Sequence, residues 1–228
     1  MKKILRYIDF FFYHAINWNP WLASFLLYST IKGEKKYGIN TFVRSDLNKY
    51  TIASVDSVNK ASPYEAINYY VLEDLLKNFR RLFCEEKTIL DVGCGKGRVM
   101  AVASHFGFTN ITGVDFAKEL CEKAEKNMQQ VIAEFPEVTY KIAWADILNY
   151  DLDTDEKVFF LFNPFEKEIM DAFLERIETS LHQHPRQIYF IYANPQQLDS
   201  LTNKNYKVIY EVKKMKFLKG IIAVKTYT

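Results

Sequence analysis

The chain is poor in the residues that disulfide-bonded domains and zinc centres require. It has only three cysteines among 228 residues, Cys84, Cys94 and Cys121, and no Cys-x-x-Cys pair. An odd count without such a pair argues against a disulfide framework and a zinc site, and it favours a reducing compartment. The net charge is only +2, so the overall charge does not require a nucleic-acid partner. We therefore expect no metal and a cytoplasmic protein, at most peripheral to a membrane.

Familiar motifs of several enzyme classes are also missing. The chain contains no Gly-x-Ser-x-Gly of serine hydrolases and no P-loop. None of its four histidines is an obvious general base, and His182 and His184 suit solvated helix caps better than metal ligands. Hydrophobic residues make up 49% of the chain and charged ones 25%, which predicts one globular α/β domain with an extension.

Residues 1–31 are aromatic and apolar but lack the ~20 clean apolar residues of a transmembrane helix. They also lack the small-residue cleavage site of a signal peptide. Pro20 predicts two short helices broken near Asn19-Pro20. We favour packing of these helices against the rest of the chain. A weak membrane-surface contact, given the basic start and Trp18/Trp21, and a partner-binding surface stay open. Polar residues 32–62 suit a connector or lid.

Beyond residue 62, strand and helix periodicities alternate. An amphipathic helix is expected from Pro63 onward. Alternation of this kind implies parallel strands with crossover helices on both faces. The last two apolar runs have no helix between them and predict an antiparallel hairpin. Strands are predicted at 87–92, 110–115, 138–144, 157–162, 186–192, 206–212 and 218–227, and helices at 96–106, 117–134, 166–182 and 195–202.

The most specific pattern is I-L-D-V-G-C-G-K-G-R-V at residues 89–99. An apolar strand leads through three glycines at alternate positions into a helix, and glycine permits both positive φ and close approach of a ligand. Asp115 ends the next apolar run, 22 positions after Gly93. A carboxylate there can accept hydrogen bonds from both hydroxyls of a ribose.

These residues resemble the class I S-adenosylmethionine-dependent methyltransferases, whose first motif is Asp/Glu-x-Gly-x-Gly-x-Gly. A dinucleotide fingerprint would instead need glycine at position 98, which is Arg98. The resemblance covers roughly residues 63–228. It implies a Rossmann-like, doubly wound seven-stranded sheet of five parallel strands plus a C-terminal antiparallel hairpin. Residues 1–62 then form an N-terminal helical extension and lid.

The resemblance also implies a binding site for S-adenosyl-L-methionine and its product S-adenosyl-L-homocysteine. In the family the glycine loop wraps the methionine part of the donor, and successive strand-end acids lie near the ammonium, ribose and adenine groups. Each acid also has an ordinary alternative as a cap or loop carboxylate, and Cys94 suits a small residue that fits. The implied donor-binding residues are Asp91, Gly93, Cys94, Gly95, Gly97, Asp115, Phe116, Asp146 and Ile147.

The fourth strand end reads Phe162-Asn163-Pro164-Phe165. It resembles the Asn/Asp-Pro-Pro-aromatic motif of amino-directed methyltransferases, with one proline fewer. The resemblance implies that Asn163, Pro164 and Phe165 orient an acceptor amine. A helix start with Asn163 as the N-cap and Glu166 at N3 explains the pattern equally well.

Two further segments loosely match substrate-binding loops. Tyr64 lies in a Ser-Pro-Tyr-Glu sequence and is predicted to fold over the donor as part of a lid. Residues 192–195 form a second polar strand end, suited to substrate contact or a helix start.

Three functions follow for this chain. We favour methyl transfer from S-adenosylmethionine to nitrogen, on a protein lysine or another amine. A small-molecule or RNA methyltransferase is the alternative, and a non-catalytic binding module that retains the fold is the second. The intact acids and glycines argue against the module. The methyl acceptor itself stays unknown.

Overall fold

The structure, a computed structural model, describes residues 2–42, 50–53 and 64–226. The helix starts expected at 56–57 and 61–63 therefore lie outside the described residues, as does most of the predicted lid. The helices are α1 (Lys2–Asn17), α2 (Pro20–Tyr37), α3 (Tyr69–Leu82), α4 (Arg98–His105), α5 (Lys118–Glu134), α6 (Lys167–Gln183) and α7 (Leu198–Asn203). The strands are β1 (Thr88–Val92), β2 (Asn110–Asp115), β3 (Thr139–Trp144), β4 (Val158–Phe162), β5 (Ile188–Ala193), β6 (Lys207–Lys214) and β7 (Leu218–Lys225).

The seven strands form one sheet in the order β3-β2-β1-β4-β5-β7-β6. The first five are parallel, and β7 runs antiparallel to both β5 and β6. The predicted fold class is thereby confirmed. Val92 of β1 lies opposite Val114 and Leu161, so three central strands end at the same level. Their carboxyl ends form one edge, where ligands of open α/β sheets bind.

Helices cover the sheet on both faces, and its inner strands are apolar throughout. Ile89 and Phe160 belong to the core beneath α3, α4 and α5, whereas their neighbours Leu90 and Phe159 belong to the core beneath α6 and α7. Parallel strands buried on both sides require this continuous hydrophobicity. The predicted strands, and the helices after residue 96, match the observed elements to within three residues.

The first helix of the main domain begins later than predicted. It starts at Tyr69 and not near Pro63, because the side chain of Asn68 accepts a hydrogen bond from Tyr70 N and caps the helix there. Residues 65–68 form no helix. The connector prediction for 32–62 was also wrong at its start, since α2 continues to Tyr37 and ends at Gly38 with φ 64°.

The chain breaks between α1 and α2 where predicted. The Asn19 side chain accepts a hydrogen bond from Leu22 N at 2.8 Å, and Pro20 occupies the first helical turn. At its other end α2 packs on α3, where the rings of Tyr37 and Tyr69 stack at 5.6 Å. No helix in the described part of the chain combines the length and hydropathy needed to cross a bilayer.

Candidate active site

The glycine loop follows β1 at the common strand edge. Gly93, Gly95 and Gly97 have φ values of 77°, 55° and 75°, in the left-handed region that glycine tolerates. Gly93 N donates to Val114 O at 2.8 Å, which ties the loop to the tip of β2. A Cβ on Gly95 would lie 2.3 Å from the Tyr64 ring, so this position also needs glycine for space.

Asp115 joins the tip of β2 to the glycine loop. Its Oδ2 accepts a hydrogen bond from Gly95 N at 2.8 Å, and its Oδ1 accepts one from Ala117 N at 2.9 Å. Burial raises the pKa of this carboxyl to about 6, although both bonds oppose the rise. Asp115 is not the N-cap of α5, because that position is Ala117. Each carboxylate oxygen keeps acceptor capacity for a ligand hydroxyl.

Asp91 differs from Asp115 because one of its oxygens is buried without a partner. The residue is 3% exposed, and its Oδ2 has no hydrogen-bond donor among the described residues. Burial, and secondarily the charge of Asp115, raises the pKa of this carboxyl well above its usual range. A buried acceptor without a donor is costly unless a ligand supplies one. The arrangement suits a bound cation.

The third strand end brings Asp146 to the same edge. Its Oδ1 accepts a hydrogen bond from Leu148 N at 3.0 Å, and the residue is 7% exposed. The next residue, Ile147, is buried in the core beneath α6.

Cys94 lies within the glycine loop, and Phe116 follows Asp115 at the tip of β2. Cys94 is buried beside Gly113, where a Cβ would lie 2.9 Å from the Cys94 sulfur. Burial raises the pKa of the Cys94 thiol well above its usual range, which suits a space-filling residue. Phe116 is half-buried, and its carbonyl accepts a hydrogen bond from Trp144 Nε1 at 2.9 Å.

The fourth strand end brings Asn163 to the glycine loop and corrects the predicted helix start. α6 begins at Lys167 with Glu166 as the N-cap, so Asn163 is not the cap. Asn163 instead has φ 41°, and its Oδ1 is buried with no partner among the described residues. Pro164 packs on the loop, because a Cβ on Gly93 would lie 3.2 Å from Pro164 Cβ.

The remaining two predicted catalytic residues lie in different places. Tyr64 covers the glycine loop at Gly95, beneath the Lys96 ammonium 4.5 Å from its ring, and its hydroxyl donates to Thr41 O at 3.1 Å. Residues 62 and 63 of the predicted lid are outside the described part. Phe165 instead packs against the core, with its ring 6.2 Å from that of Phe173.

A cavity of about 580 Å³ is lined by Phe162, the residue before Asn163, and was not predicted. It lies between the N-terminal helices, the segment 65–71, the tips of β4 and β5, and the β6–β7 turn. No local pattern in the sequence announces it, because its walls come from distant segments. Its lining includes Phe10, His14, Ile67, Phe162, Asn194 and Phe217.

A buried ion pair holds α2 to the helix that follows the glycine loop. Arg98 Nη2 lies 3.3 Å from Glu34 Oε1, and both side chains are at most 5% exposed. Arg98 also donates to Ile67 O at 2.5 Å and to Thr41 Oγ1 at 2.7 Å. Sequence reasoning missed this contact, and the only hint was an arginine opening an otherwise apolar helix.

Comparison with known proteins agrees with this geometry. Residues 89–184 match the methyltransferase domain family. The ribosomal protein L11 methyltransferase of Thermotoga maritima is 32% identical over 65 residues, which cover 28% of this chain and 23% of that protein. The chain thus spans less than a quarter of the curated relatives that it matches.

Solved structures share the fold at low identity. The 1,6-didemethyltoxoflavin-N1-methyltransferase of Burkholderia thailandensis has a TM-score of 0.51 and 15% identity, over 68% of this chain and 78% of that one. The magnesium protoporphyrin IX methyltransferase of Synechocystis has a TM-score of 0.50 and 12% identity, over 72% and 87%. The matched domain, the sheet order and the glycine loop together support the predicted resemblance to class I S-adenosylmethionine-dependent methyltransferases.

Proposed function

We propose that the protein transfers a methyl group from S-adenosylmethionine to a nitrogen atom. One observation carries the proposal. Two buried acceptor oxygens next to the glycine loop, Asp91 Oδ2 and Asn163 Oδ1, have no donor among the described residues. One suits the ammonium group of a methionine moiety, and the other suits the N–H of an acceptor amine. A donor-free scaffold would gain nothing from keeping two such costly groups at the same edge of the sheet.

The residues present fit the donor. Asp91 offers a carboxylate oxygen to its ammonium group, and the glycine loop that follows it has three residues of positive φ, as the resembled motif does. Asp115 and Asp146 stand at the next two strand ends for the ribose and adenine groups. When bound, the donor supplies a methyl group that its sulfonium already activates.

The acceptor must be held in line with that methyl group and must attack as a neutral amine. Asn163 Oδ1 can accept a hydrogen bond from the amine and so point its lone pair at the methyl carbon. The nitrogen–carbon bond forms while the carbon–sulfur bond breaks, and the methylated nitrogen gives up its proton to solvent. Positioning of this kind can contribute up to about 7–11 kcal/mol of barrier lowering.

The cavity that Phe162, the residue before Asn163, helps to line is the proposed acceptor site. Its 580 Å³ falls within the range of about 300–1,000 Å³ typical of small-molecule pockets. A cavity of this size favours a small-molecule amine or a flexible side chain such as lysine. The name of the Thermotoga relatives adds ribosomal protein to the acceptors worth testing.

Two measurements test the proposal in sequence. Calorimetry with S-adenosylmethionine and S-adenosylhomocysteine should detect binding to the purified chain, and no binding to either would favour the scaffold. Transfer of labelled methyl groups into fractionated cell extract and purified ribosomal proteins then identifies the acceptor.

The nitrogen assignment has its own control. The extract fraction that takes up label is divided before the transfer reaction. One aliquot is treated with an amine-selective acylating reagent, and a second aliquot is digested with ribonuclease. Acylation should abolish uptake of label, whereas ribonuclease should leave it unchanged. Uptake that survives acylation but not ribonuclease would replace nitrogen of an amine with RNA as the target.

A further inference from the structure

Helix α1 turns its apolar stripe toward solvent. Ile4, Ile8, Phe12 and Ile16 follow one another at intervals of four and are 63%, 45%, 56% and 79% exposed. Residues at this spacing lie on one face of a helix, and over 16 residues the face is about 24 Å long. A run of large exposed apolar side chains marks an interaction surface.

The buried side of α1 is a different one from this stripe. It includes His14, which is buried, and Phe10 and Phe11, which are half-buried, and the Phe10 ring lies 4.9 Å from that of Phe42. The polar residues Arg6 and Asp9 are exposed, as the stripe is, although both also line the cavity. The stripe is therefore additional to the aromatic face by which α1 packs on the chain.

The apolar surface continues across the turn into α2. Trp18 and Trp21 are 43% and 81% exposed at the junction, and Tyr28 and Ile31 are 63% and 42% exposed farther along. Tryptophan and tyrosine are enriched where proteins meet the boundary between lipid and water. We call the exposed apolar side chains of α1 and α2 that do not line the cavity the apolar platform, comprising Ile4, Ile8, Phe12, Ile16, Trp21, Tyr28 and Ile31.

Positive charge accompanies the apolar platform. Residues 2–37 contain six basic and two acidic residues, and one of the acids, Glu34, is buried in the pair with Arg98. The β6–β7 turn lies beside α2, because Lys214 Nζ is 5.0 Å from the Phe25 ring. That turn adds four lysines and no acid between residues 213 and 219, together with the half-exposed Met215 and Phe217.

We propose that the apolar platform docks on an anionic bilayer surface, with α1 lying in the plane of the interface. Apolar residues on one side and neighbouring cations together fit a surface that is both apolar and negative. A second copy of the chain is the poorer occupant, because an isologous contact would bring the same cations of both copies together. The inference does not depend on the proposed methyl transfer.

Flotation of the full chain with vesicles tests the proposal. The wild type should float with vesicles containing phosphatidylserine, less with pure phosphatidylcholine, and less at high salt. The double variant Ile8→Glu/Ile16→Glu should lower partition onto the vesicles at least about 10-fold, because it removes two apolar side chains and adds two negative charges. The matched control Gln130→Glu/Gln183→Glu makes the same charge change on exposed positions of α5 and α6 and should float like the wild type.

Thermal unfolding of both variants establishes that they are folded, without reliance on donor binding. Equal flotation of the two variants, or absence of wild-type protein from the anionic vesicles, would overturn the proposal. Light scattering provides the remaining arm. A wild-type dimer that Ile8→Glu/Ile16→Glu converts to a monomer would make the apolar platform a self-interface and would also overturn it.

Discussion

The two halves of the sheet's carboxyl edge are built in different ways. At the tips of β1, β2 and β3 stand three buried acids, Asp91, Asp115 and Asp146, and Asp115 accepts a hydrogen bond from the glycine loop. At the tips of β4 and β5 stand two asparagines before prolines, Asn163 and Asn194, with φ of 41° and 49°. The first half is shaped by its own backbone, whereas the second is completed by helices from the other end of the chain.

This difference separates the two proposed tasks, donor binding and acceptor binding. The glycine loop and its two nearest acids, Asp91 and Asp115, need only a strand, a loop and the next strand, so their geometry is fixed within about 30 residues of sequence. The acceptor half depends on packing between segments more than 100 residues apart, such as α1 and the β6–β7 turn. Substitutions in the N-terminal helices can therefore change the acceptor cavity while the donor residues stay in place.

The largest effect is expected at the contact between α2, which lines the acceptor cavity, and α4, which follows the glycine loop. Glu34→Gln would leave the Arg98 guanidinium buried without its countercharge, and we expect it to lower the free energy of unfolding by about 3–5 kcal/mol. Urea unfolding measures the change. The matched control is Asp171→Asn, which removes the exposed Lys167–Asp171 pair and should cost less than about 1 kcal/mol. Equal losses of unfolding free energy in the two variants would mean that α2 and α4 are held together by apolar packing alone.

Asp91 should be the most sensitive residue of the donor half. Asp91→Asn keeps the shape of the side chain but removes the carboxylate proposed for the donor's ammonium group. We expect about a 100-fold loss of affinity for S-adenosylhomocysteine by calorimetry, because a charged hydrogen bond is worth about 1.5–3 kcal/mol. An unchanged affinity would remove Asp91 from the binding site.

The same variant should have the opposite effect on stability. Burial raises the pKa of Asp91 in the folded chain, so folding favours its protonated form. The contribution of this carboxyl to wild-type stability is full below its unfolded pKa of about 3.9 and is lost as pH rises through the raised folded pKa. Ligand-free Asp91→Asn should therefore be more stable than wild type at pH 8, and the difference should shrink as pH falls toward 4. Urea titrations at several pH values measure it, and a constant difference would contradict the buried charge.

Asn163 should mark the acceptor half by a smaller and purely catalytic effect. Asn163→Gly removes the amide oxygen but suits φ 41°, so it should lower turnover about 10-fold and leave donor affinity unchanged. Asn205→Gly is the matched control, since Asn205 also has positive φ and lies away from the site, before β6. Loss of donor affinity in Asn163→Gly would assign the residue to the donor half.

The sequence predicted the sheet because buried parallel strands and crossover helices leave a clear periodicity. It misplaced the helix start at Asn68 and left open whether Asn163 caps the helix after β4, because several polar residues could cap each helix and only the packed structure selects one. Asp115 could be found from its spacing after the glycine loop, whereas the roles of Asp91 and Asp146 were implied by the resemblance to the family. Neither the Glu34–Arg98 pair nor the cavity could be found so, because both depend on contacts between distant segments whose partners no local pattern specifies.

Among the described residues, helix α1 alone lies between its exposed apolar stripe and the cavity. Its inward side chains shape the chamber in which an acceptor would sit, and its outward ones are free. A partner bound on the outside would therefore be separated from the proposed acceptor cavity by a single helix. Binding of a partner to the exposed side of α1 could therefore change the shape of the cavity, and with it the range of molecules that fit there.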